Sequence, residues 1–430
     1  MRYALVNPHW SFEGSVYFGC REPHLPLELG YAAQLLEAAG HDVMLVDGSL
    51  EHLSNTDIRD RLAAFGPDFT VMPTAPSYLF WRCPPPELRV PQMLMRDLGE
   101  VTGTRVLIGP HPSTTPAPTL RKLGADIAVL GESEEVLCRL GDQPLEAVRG
   151  IARLQAGELV RQGGRQAANL ERLPALRWPQ HLLDAHGHHH HRFDEPQYGL
   201  GAEIEVSRGC PYSCSFCAKG DHRDRFRWRP FEVMFDELDG LIAQGVGYVY
   251  FIDEIFLPNR DLLQGLRERN IRFGVQTRID LWKPEMLELL GEAGCVSVEA
   301  GVESISDRGR ALLDKNCRMD TETLQQRLIH ARRGIPFVQA SLLDSKADDS
   351  AEVVRWRETL AAHGVWANKP VPMFPYPGST DYVRRWGLPD DHAWERAVDD
   401  YLATFAEFSD IQDELPYPLE RLELDSRAVR

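Results

Sequence analysis

The stretch "AEIEVSRGCPYSCSFCAKG", residues 202–220, decides how the chain is read. "AEIEVS" reads as a strand, and the residues after it read as a loop. That loop carries three of the chain's eight cysteines, Cys210, Cys214 and Cys217, in the spacing C-x3-C-x2-C; the next cysteine is Cys295. A structural zinc site wants four protein ligands, and no Cys or His stands at an evident offset to supply the fourth. A cubane iron–sulfur cluster also normally takes four thiolates. Three thiolates leave one iron open to a small molecule. The alternatives are a zinc knuckle completed by His222 and unrelated buried thiols.

Outward from this loop the chain alternates strands and helices. After "AEIEVS" come the helix "PFEVMFDELDGLIAQG", the strand "YVYFID", the helix "NRDLLQGLRERN", the strand "RFGVQTR", the helix "KPEMLELLGEAG" and the strand "VSVEAGV". The helix "TETLQQRLIHARRG", the strand "PFVQASLL" and the helix "SAEVVRWRETLAAHG" continue the series. Five or six β-α units in a row predict a full or partial TIM-type barrel over 201–365, with the cysteine loop on its carboxyl-end face. Residues 366–430, rich in Trp, Tyr and Pro, read as a small C-terminal cap.

The first 140 residues show the same rhythm. "RYALVNP", "DVMLVDG", "DFTVMPT", "RVLIGP" and "DIAVLGE" read as strands, separated by helices such as "LPLELGYAAQLLEAAGH" and "NTDIRDRLAAFG". The expectation is a doubly wound, Rossmann-like parallel sheet over 1–140 with helices on both faces. Its strand-end loops are candidate ligand contacts: Asn7, Pro8, His9 and Trp10; Thr74 and Ala75; Gly109, His111, Pro112 and Ser113; Gly131 and Glu132. No G-x-G-x-x-G follows the first strand, which argues against a dinucleotide site. Residues 141–200 read as a linker segment with a short hairpin. The fold class is α/β throughout.

With 43% hydrophobic and 26% charged residues, the composition is that of an ordinary globular protein. The start, MRYALVNPHW, lacks a secretory pattern, and no apolar run reaches the roughly 18 residues that span a bilayer. The expectation is a cytoplasmic protein with no membrane partner. A net charge of −17 disfavours broad nucleic-acid binding.

The cysteine spacing, with Phe216 before the last cysteine, resembles the radical S-adenosylmethionine (SAM) enzymes. That resemblance implies a [4Fe–4S] cluster on Cys210, Cys214 and Cys217, with SAM chelated at the open iron. "YFIDEIF" (250–256) resembles the family's second-strand end, so Asp253 or Glu254 is implied at the SAM ammonium. "VQTRIDLWKPEMLELLGEAGCVSVEAGVES" (275–304) is similar to the segment that brings Arg278, Glu299, Gly301 and Glu303 toward the methionyl and adenosine groups. From the residues themselves, Arg278 and Glu303 could instead pair across strand ends. "PYPGS" (375–379) resembles the family's late proline-glycine turn.

The first 140 residues resemble the cobalamin-binding subgroup. "LPLELGYAAQLLEAAGHDVMLVDG" is similar to its first helix and second strand, and "GPHPST" with "DIAVLGESEEVL" to its GGxHPT and GExE patterns. Pro110 departs from a second glycine there and removes one backbone N–H, and Ser133 takes the small-residue place in "GESE". D-x-H-x-x-G is absent, so the lower ligand of cobalt is open between His9, His111, another side chain, water or nothing. A doubly wound domain without corrinoid, serving only for docking, is the alternative.

The resemblance implies a C-methyltransferase acting on an unactivated carbon of a small-molecule intermediate. A deoxyadenosyl radical would abstract hydrogen, methylcobalamin would supply the methyl group, and a second SAM would restore it. An electron donor such as flavodoxin or ferredoxin is implied. The alternatives are a cobalamin-dependent ring contraction, cyclisation or other rearrangement, a corrinoid-binding regulator with an inactive barrel, and a tRNA methylthiotransferase. Against the last stands the acidic tail "LERLELDSRAVR".

Among smaller features, Arg223, Arg225, Arg227 and Arg229 alternate and on an extended segment would point one way. They are read either as an anion-binding strip, with Arg225, Arg227 and Tyr376 in a substrate cleft, or as salt bridges to the acidic surface. The run His188–His191 reads as a solvated linker, a cleft lining or a metal site. The remaining cysteines, Cys20, Cys83, Cys138, Cys295 and Cys317, read as packed thiols.

Overall fold

"YALV" near the N-terminus is apolar at every position because both faces of its strand are covered. In β1 (Arg2–Asn7), Tyr3 and Leu5 enter one core cluster while Ala4 and Val6 enter another, as the two-residue period of a strand requires. A computed structural model describes residues 1–11, 23–77, 84–186 and 199–405 of the chain. Cys20, Cys83, His188–His191 and the acidic C-terminal stretch lie outside them.

The chain divides into two units. The first comprises 1–178, 217–224 and 374–430, and the second 179–216 and 225–373. In the first, β1 pairs in parallel with β2 (Asp42–Asp47) on one side and β3 (Phe69–Pro73) on the other. β4 (Thr104–Ile108) and β5 (Ile127–Val129) continue the parallel sheet. The helices are α1 (Leu27–Ala38), α2 (Asn55–Phe65), α3 (Arg89–Leu98), α4 (Pro110–Thr114), α5 (Pro116–Leu123) and α6 (Glu134–Asp142). Leu29, Leu36, Val136 and Leu137 of α1 and α6 pack with Tyr3 and Leu5; Ile58, Leu62, Leu94 and Met95 of α2 and α3 pack with Ala4 and Val6. The α2 start is fixed by a reciprocal capping box between Ser54 and Asp57.

The sheet does not stop at residue 140. β6 (Ile151–Gln155) pairs antiparallel with β5, and β7 (Glu158–Gln162) with β6, giving the order β2-β1-β3-β4-β5-β6-β7. The connecting Ala156 and Gly157 both have positive φ, the two-residue turn that matches strand twist. Residues 151–162 of the segment read as a linker thus form the antiparallel edge of the first sheet, as the hairpin expected there.

The second unit opens with α7 (Gln180–Ala185) and carries six strands that neighbour one another in chain order: β8 (Leu200–Ile204), β11 (Val246–Phe251), β12 (Arg272–Thr277), β13 (Cys295–Glu303), β14 (Phe337–Leu342) and β15 (Trp366–Ala367). Every pairing among them is parallel. The helices are α8 (Phe231–Ala243), α9 (Arg260–Arg269), α10 (Pro284–Glu292), α11 (Asp307–Leu312), α12 (Thr321–Gly334) and α13 (Ser350–Ala362). This is the expected open (β/α)6 arrangement, with its sixth strand just beyond the expected end at 365. Between β8 and β11, β9 (Ser207–Arg208) and β10 (Arg227–Trp228) form a two-residue antiparallel ladder.

The residues read as a separate cap divide differently. Those up to Met373 stay with the second unit; α14 (Thr380–Trp386) and α15 (Ala393–Phe405) belong to the first. Trp394 explains this: its indole N–H donates to Thr115 Oγ1 at 3.0 Å and its ring stands 4.5 Å from that of His111. Lys122 also pairs with Glu395 at 2.6 Å. Among the described residues no helix is long and apolar enough to cross a membrane.

Candidate functional site

The cysteine loop begins where β8 ends, and the β9–β10 ladder closes its base. Arg208 and Arg227 are register partners across that ladder, which fixes the two ends of the loop within the second unit. Gly209 sits at φ +81°, where a methyl group would drive into the Arg225 carbonyl oxygen. Cys210, Cys214 and Cys217 are free of disulfides and half-buried, as is Phe216. Burial pushes the Cys214 thiol up, while the Lys315 ammonium and the Arg278 guanidinium pull it back. Three accessible thiols with cations beside one of them suit a metal centre held by thiolates, because metal takes the place of the proton. The donor set therefore fits a three-thiolate iron–sulfur cluster.

Around the loop, the strand ends of the second unit supply carboxylates. Glu254 accepts from the Gly209 N–H at 2.8 Å and so touches the cysteine loop directly. Asp253 is turned inward: it accepts from the Val206 N–H at 3.2 Å and from the Ser207 hydroxyl, and burial lifts its pKa to about 8. A neutral acid so engaged suits the loop base better than an ammonium partner.

Arg278 and Glu303 do not pair with each other. Arg278 forks onto Asp280 (Nε to Oδ1 3.1 Å, Nη2 to Oδ2 2.7 Å) and donates to the Lys315 carbonyl at 2.6 Å. Its guanidinium carbon lies 3.9 Å from the centre of the Tyr212 ring. Glu303 instead meets Lys315 Nζ at 3.1 Å. Glu299 is half-buried, in register between Gln276 and Gln339, and Gly301 is in register with Ser341. Tyr212, Asp280 and Lys315 were not singled out from sequence; the only signal was Tyr212's place between the first two cysteines.

The alternating arginines do not form a strip. Arg223 is buried against Glu28 at 3.1 Å within the first unit. Arg229 is buried against Glu237 at 2.8 Å within the second. Only Arg225 is exposed; Arg227 is half-buried and donates to the Arg225 carbonyl at 3.2 Å. Tyr376 packs its ring 4.8 Å from Phe374, in an apolar cluster with Trp394 and Val398.

In the first unit, the strand-end loops are tied to one another. Asn7 donates to Asp47 at 2.9 Å and accepts from the Trp10 indole at 2.9 Å. His9, exposed, meets the Gly48 carbonyl at 3.2 Å, and Ser49 Oγ donates to the Pro8 carbonyl at 3.3 Å. Ser113 Oγ donates to the Gly109 carbonyl at 2.7 Å and accepts from the Gly131 N–H at 2.9 Å, joining two loops. Ala75 and Pro112 are buried beside them. Glu132 accepts from the Ala168 N–H at 3.0 Å. His111 is wholly buried with both ring nitrogens engaged, Nδ1 with Thr74 Oγ1 at 3.2 Å and Nε2 with the Pro85 carbonyl at 2.9 Å. Burial pushes its pKa down to about 3, so the ring is neutral. Thr74, Ala75, Pro112 and Ser113 are all buried at this edge, and His111 has no nitrogen left for a metal.

Residues 204–339 match the model of the radical SAM superfamily. An uncharacterized methyltransferase of Pyrococcus horikoshii is 25% identical over 298 residues, 66% of this chain and 61% of that protein. The anaerobic magnesium-protoporphyrin IX monomethyl ester cyclase of Cereibacter sphaeroides is 24% identical over 417 residues, 87% of this chain and 63% of that one. The chain thus spans about three fifths of the length of these relatives. Among solved structures, the radical SAM methyltransferase TsrM of Kitasatospora setae, with cobalamin and a [4Fe–4S] cluster bound, superposes with a TM-score of 0.70 at 19% identity. That match covers 89% of this chain and 74% of TsrM.

Proposed function

We propose that this chain, with a radical SAM domain over residues 204–339, is a cobalamin-dependent radical SAM enzyme, and that it methylates an unactivated carbon of a small-molecule substrate. The observation that carries the reading is the loop of three half-buried thiols after β8, none of them in a disulfide. The TsrM-like fold and the methyltransferase relative support it.

When bound, the cluster and corrinoid would supply reductive cleavage of SAM and a transferable methyl group. Cys210, Cys214 and Cys217 would hold the cluster. Glu254, Glu299, Gly301 and Glu303 stand at or near the strand ends where SAM would lie. The loops Asn7–Trp10, Thr74–Ala75, Gly109–Ser113 and Gly131–Glu132 would cradle the corrin, their mutual hydrogen bonds pre-forming the edge before it arrives. An electron donor of the flavodoxin or ferredoxin class would deliver the electron.

The second reading is a rearrangement or cyclisation without methyl transfer, favoured by the cyclase relative that aligns with 87% of this chain. Anaerobic reconstitution followed by assay with SAM and reductant separates the two. Formation of 5′-deoxyadenosine together with S-adenosylhomocysteine supports methylation, and deoxyadenosine alone supports rearrangement. Neither product, from a protein that binds corrinoid, would leave a regulator.

A further inference from the structure

We propose that Arg278 is a positioning residue, latching the cysteine loop through the Tyr212 ring, and is not a ligand of the SAM carboxylate. The inference rests on the reading of Cys210, Cys214 and Cys217 as cluster ligands.

The guanidinium has little left to offer a substrate. Two of its nitrogens fork onto Asp280, the third donates to the Lys315 carbonyl, and Tyr212 lies beneath its face. A bidentate carboxylate fixes the plane of an arginine, and a fixed cationic plane is what an aromatic ring stacks on. Tyr212 is two residues from Cys210 and two from Cys214, so holding its ring holds the arc between those thiols.

A second tie acts on the same arc. The Ser215 N–H, next to Cys214, donates to the Leu313 carbonyl at 3.0 Å. Leu313 and Lys315 belong to one short segment, in which Asp314 and Asn316 both have positive φ, 49° and 51°. Non-glycine residues in that region persist where surrounding contacts over-determine them. Here the two left-handed residues carry the Leu313 carbonyl to the cysteine loop, the Lys315 carbonyl to Arg278 and the Lys315 ammonium to Glu303. Arg278, Tyr212 and residues 313–316 form one connected brace.

The brace has an electrical consequence. Reduction adds a negative charge to a cluster, so the Arg278 cation, stacked on the Tyr212 ring between two of the thiols, favours the reduced state. Loss of the Arg278 charge makes reduction harder.

The test uses the full chain, reconstituted anaerobically, with variants Y212F, Y212L, R278K and R278Q. Iron release to a ferrous chelator reports the latch, the midpoint potential reports the charge, and the SAM-induced change in the reduced cluster's electron paramagnetic resonance reports SAM affinity. Tyr212 is half-exposed, so Y212L tests the latch without emptying a core. Y212L and R278Q should release iron about fivefold faster than the parent, the loss of a half-exposed cation–π contact, while Y212F stays within about twofold. R278K should keep the potential yet release iron faster, and R278Q should shift the potential negative. SAM affinity should be unchanged within about threefold in all four. Unchanged iron retention in Y212L and R278Q, or a tenfold loss of SAM affinity in R278Q with iron retained, overturns the latch alone. A parent chain that takes up no iron overturns the cluster reading and the latch with it.

Discussion

Asp253 reaches back from the end of β11 to the Val206 N–H, 3.2 Å away, and so ties the second strand of the sheet to the chain just after the first. Burial holds this acid protonated up to about pH 8, against 3.8 for the exposed group. Between those values the folded chain binds a proton that the unfolded chain does not. This contribution to stability is therefore complete below pH 3.8 and is lost as pH rises toward 8. Relative to D253N, which has no such proton, the parent should lose up to about 1.4 kcal/mol per pH unit across that window. Urea unfolding at pH 5, 6 and 7 checks it: a constant difference between the two proteins refutes the protonated buried acid.

Arg229 and Glu237 are both fully buried and meet at 2.8 Å, whereas Arg225, four residues earlier, is exposed. Removing one partner of a buried pair leaves an uncompensated charge, so E237A should cost about 3–5 kcal/mol. R225A should change stability by less than about 0.5 kcal/mol. Denaturation midpoints of the two variants measure the contrast. Equal effects would mean that the alternation of arginines, and not burial, sets their roles.

That contrast marks where sequence reading stops. The cysteine triad was legible because its spacing is covalent, and the strand order of the second unit because consecutive β-α units pack as neighbours. The fate of the four arginines was not, because Glu28 and Glu237 find Arg223 and Arg229 only in the folded chain. Asp280 and Lys315 escaped notice for the same reason. The β6–β7 hairpin carried its turn signal in Gly157, but its weak apolar pattern hid that it extends the first sheet. Trp394 gave no hint in sequence that it would settle on His111.

Single alanine substitutions separate the thiols by role. C210A, C214A and C217A should each abolish stable cluster loading, from about four irons per chain in the parent to near none. C138A and C317A, on half-buried thiols outside the loop, should load as the parent does. Iron and sulfide analysis after anaerobic reconstitution reads the outcome. Full loading in any one of the three loop variants would mean that a different ligand set holds the metal.

Gly209 combines a left-handed backbone with contact against the Arg225 carbonyl. Alanine there pays about 1–2 kcal/mol for the backbone alone and must also displace the β10 side of the loop. G209A should fold, since the β8 core is untouched, but should retain iron poorly. Circular dichroism with iron analysis tests this, and parental loading in G209A would show that the loop base need not be tight.

His111 supplies the sharpest test of the first unit. Its two nitrogens are held by Thr74 and the Pro85 carbonyl; the Thr74 hydroxyl keeps the Ile108 carbonyl at 3.3 Å, so H111F should leave the Pro85 carbonyl without its ring donor, at a cost of about 1–3 kcal/mol. The pH dependence has a definite sign. The folded ring stays neutral down to about pH 3, whereas an unfolded histidine takes up a proton near 6.5. The unfolded state thus binds more protons in that window, and stability falls on acidification from 6.5 toward 3; H111F should remove that share of the slope. Because neither nitrogen is open to cobalt, H111F reconstituted with cobalamin should keep the parental visible spectrum. A shift in the corrinoid bands on substitution would instead make His111 a cobalt ligand and require its ring to leave Thr74 and Pro85.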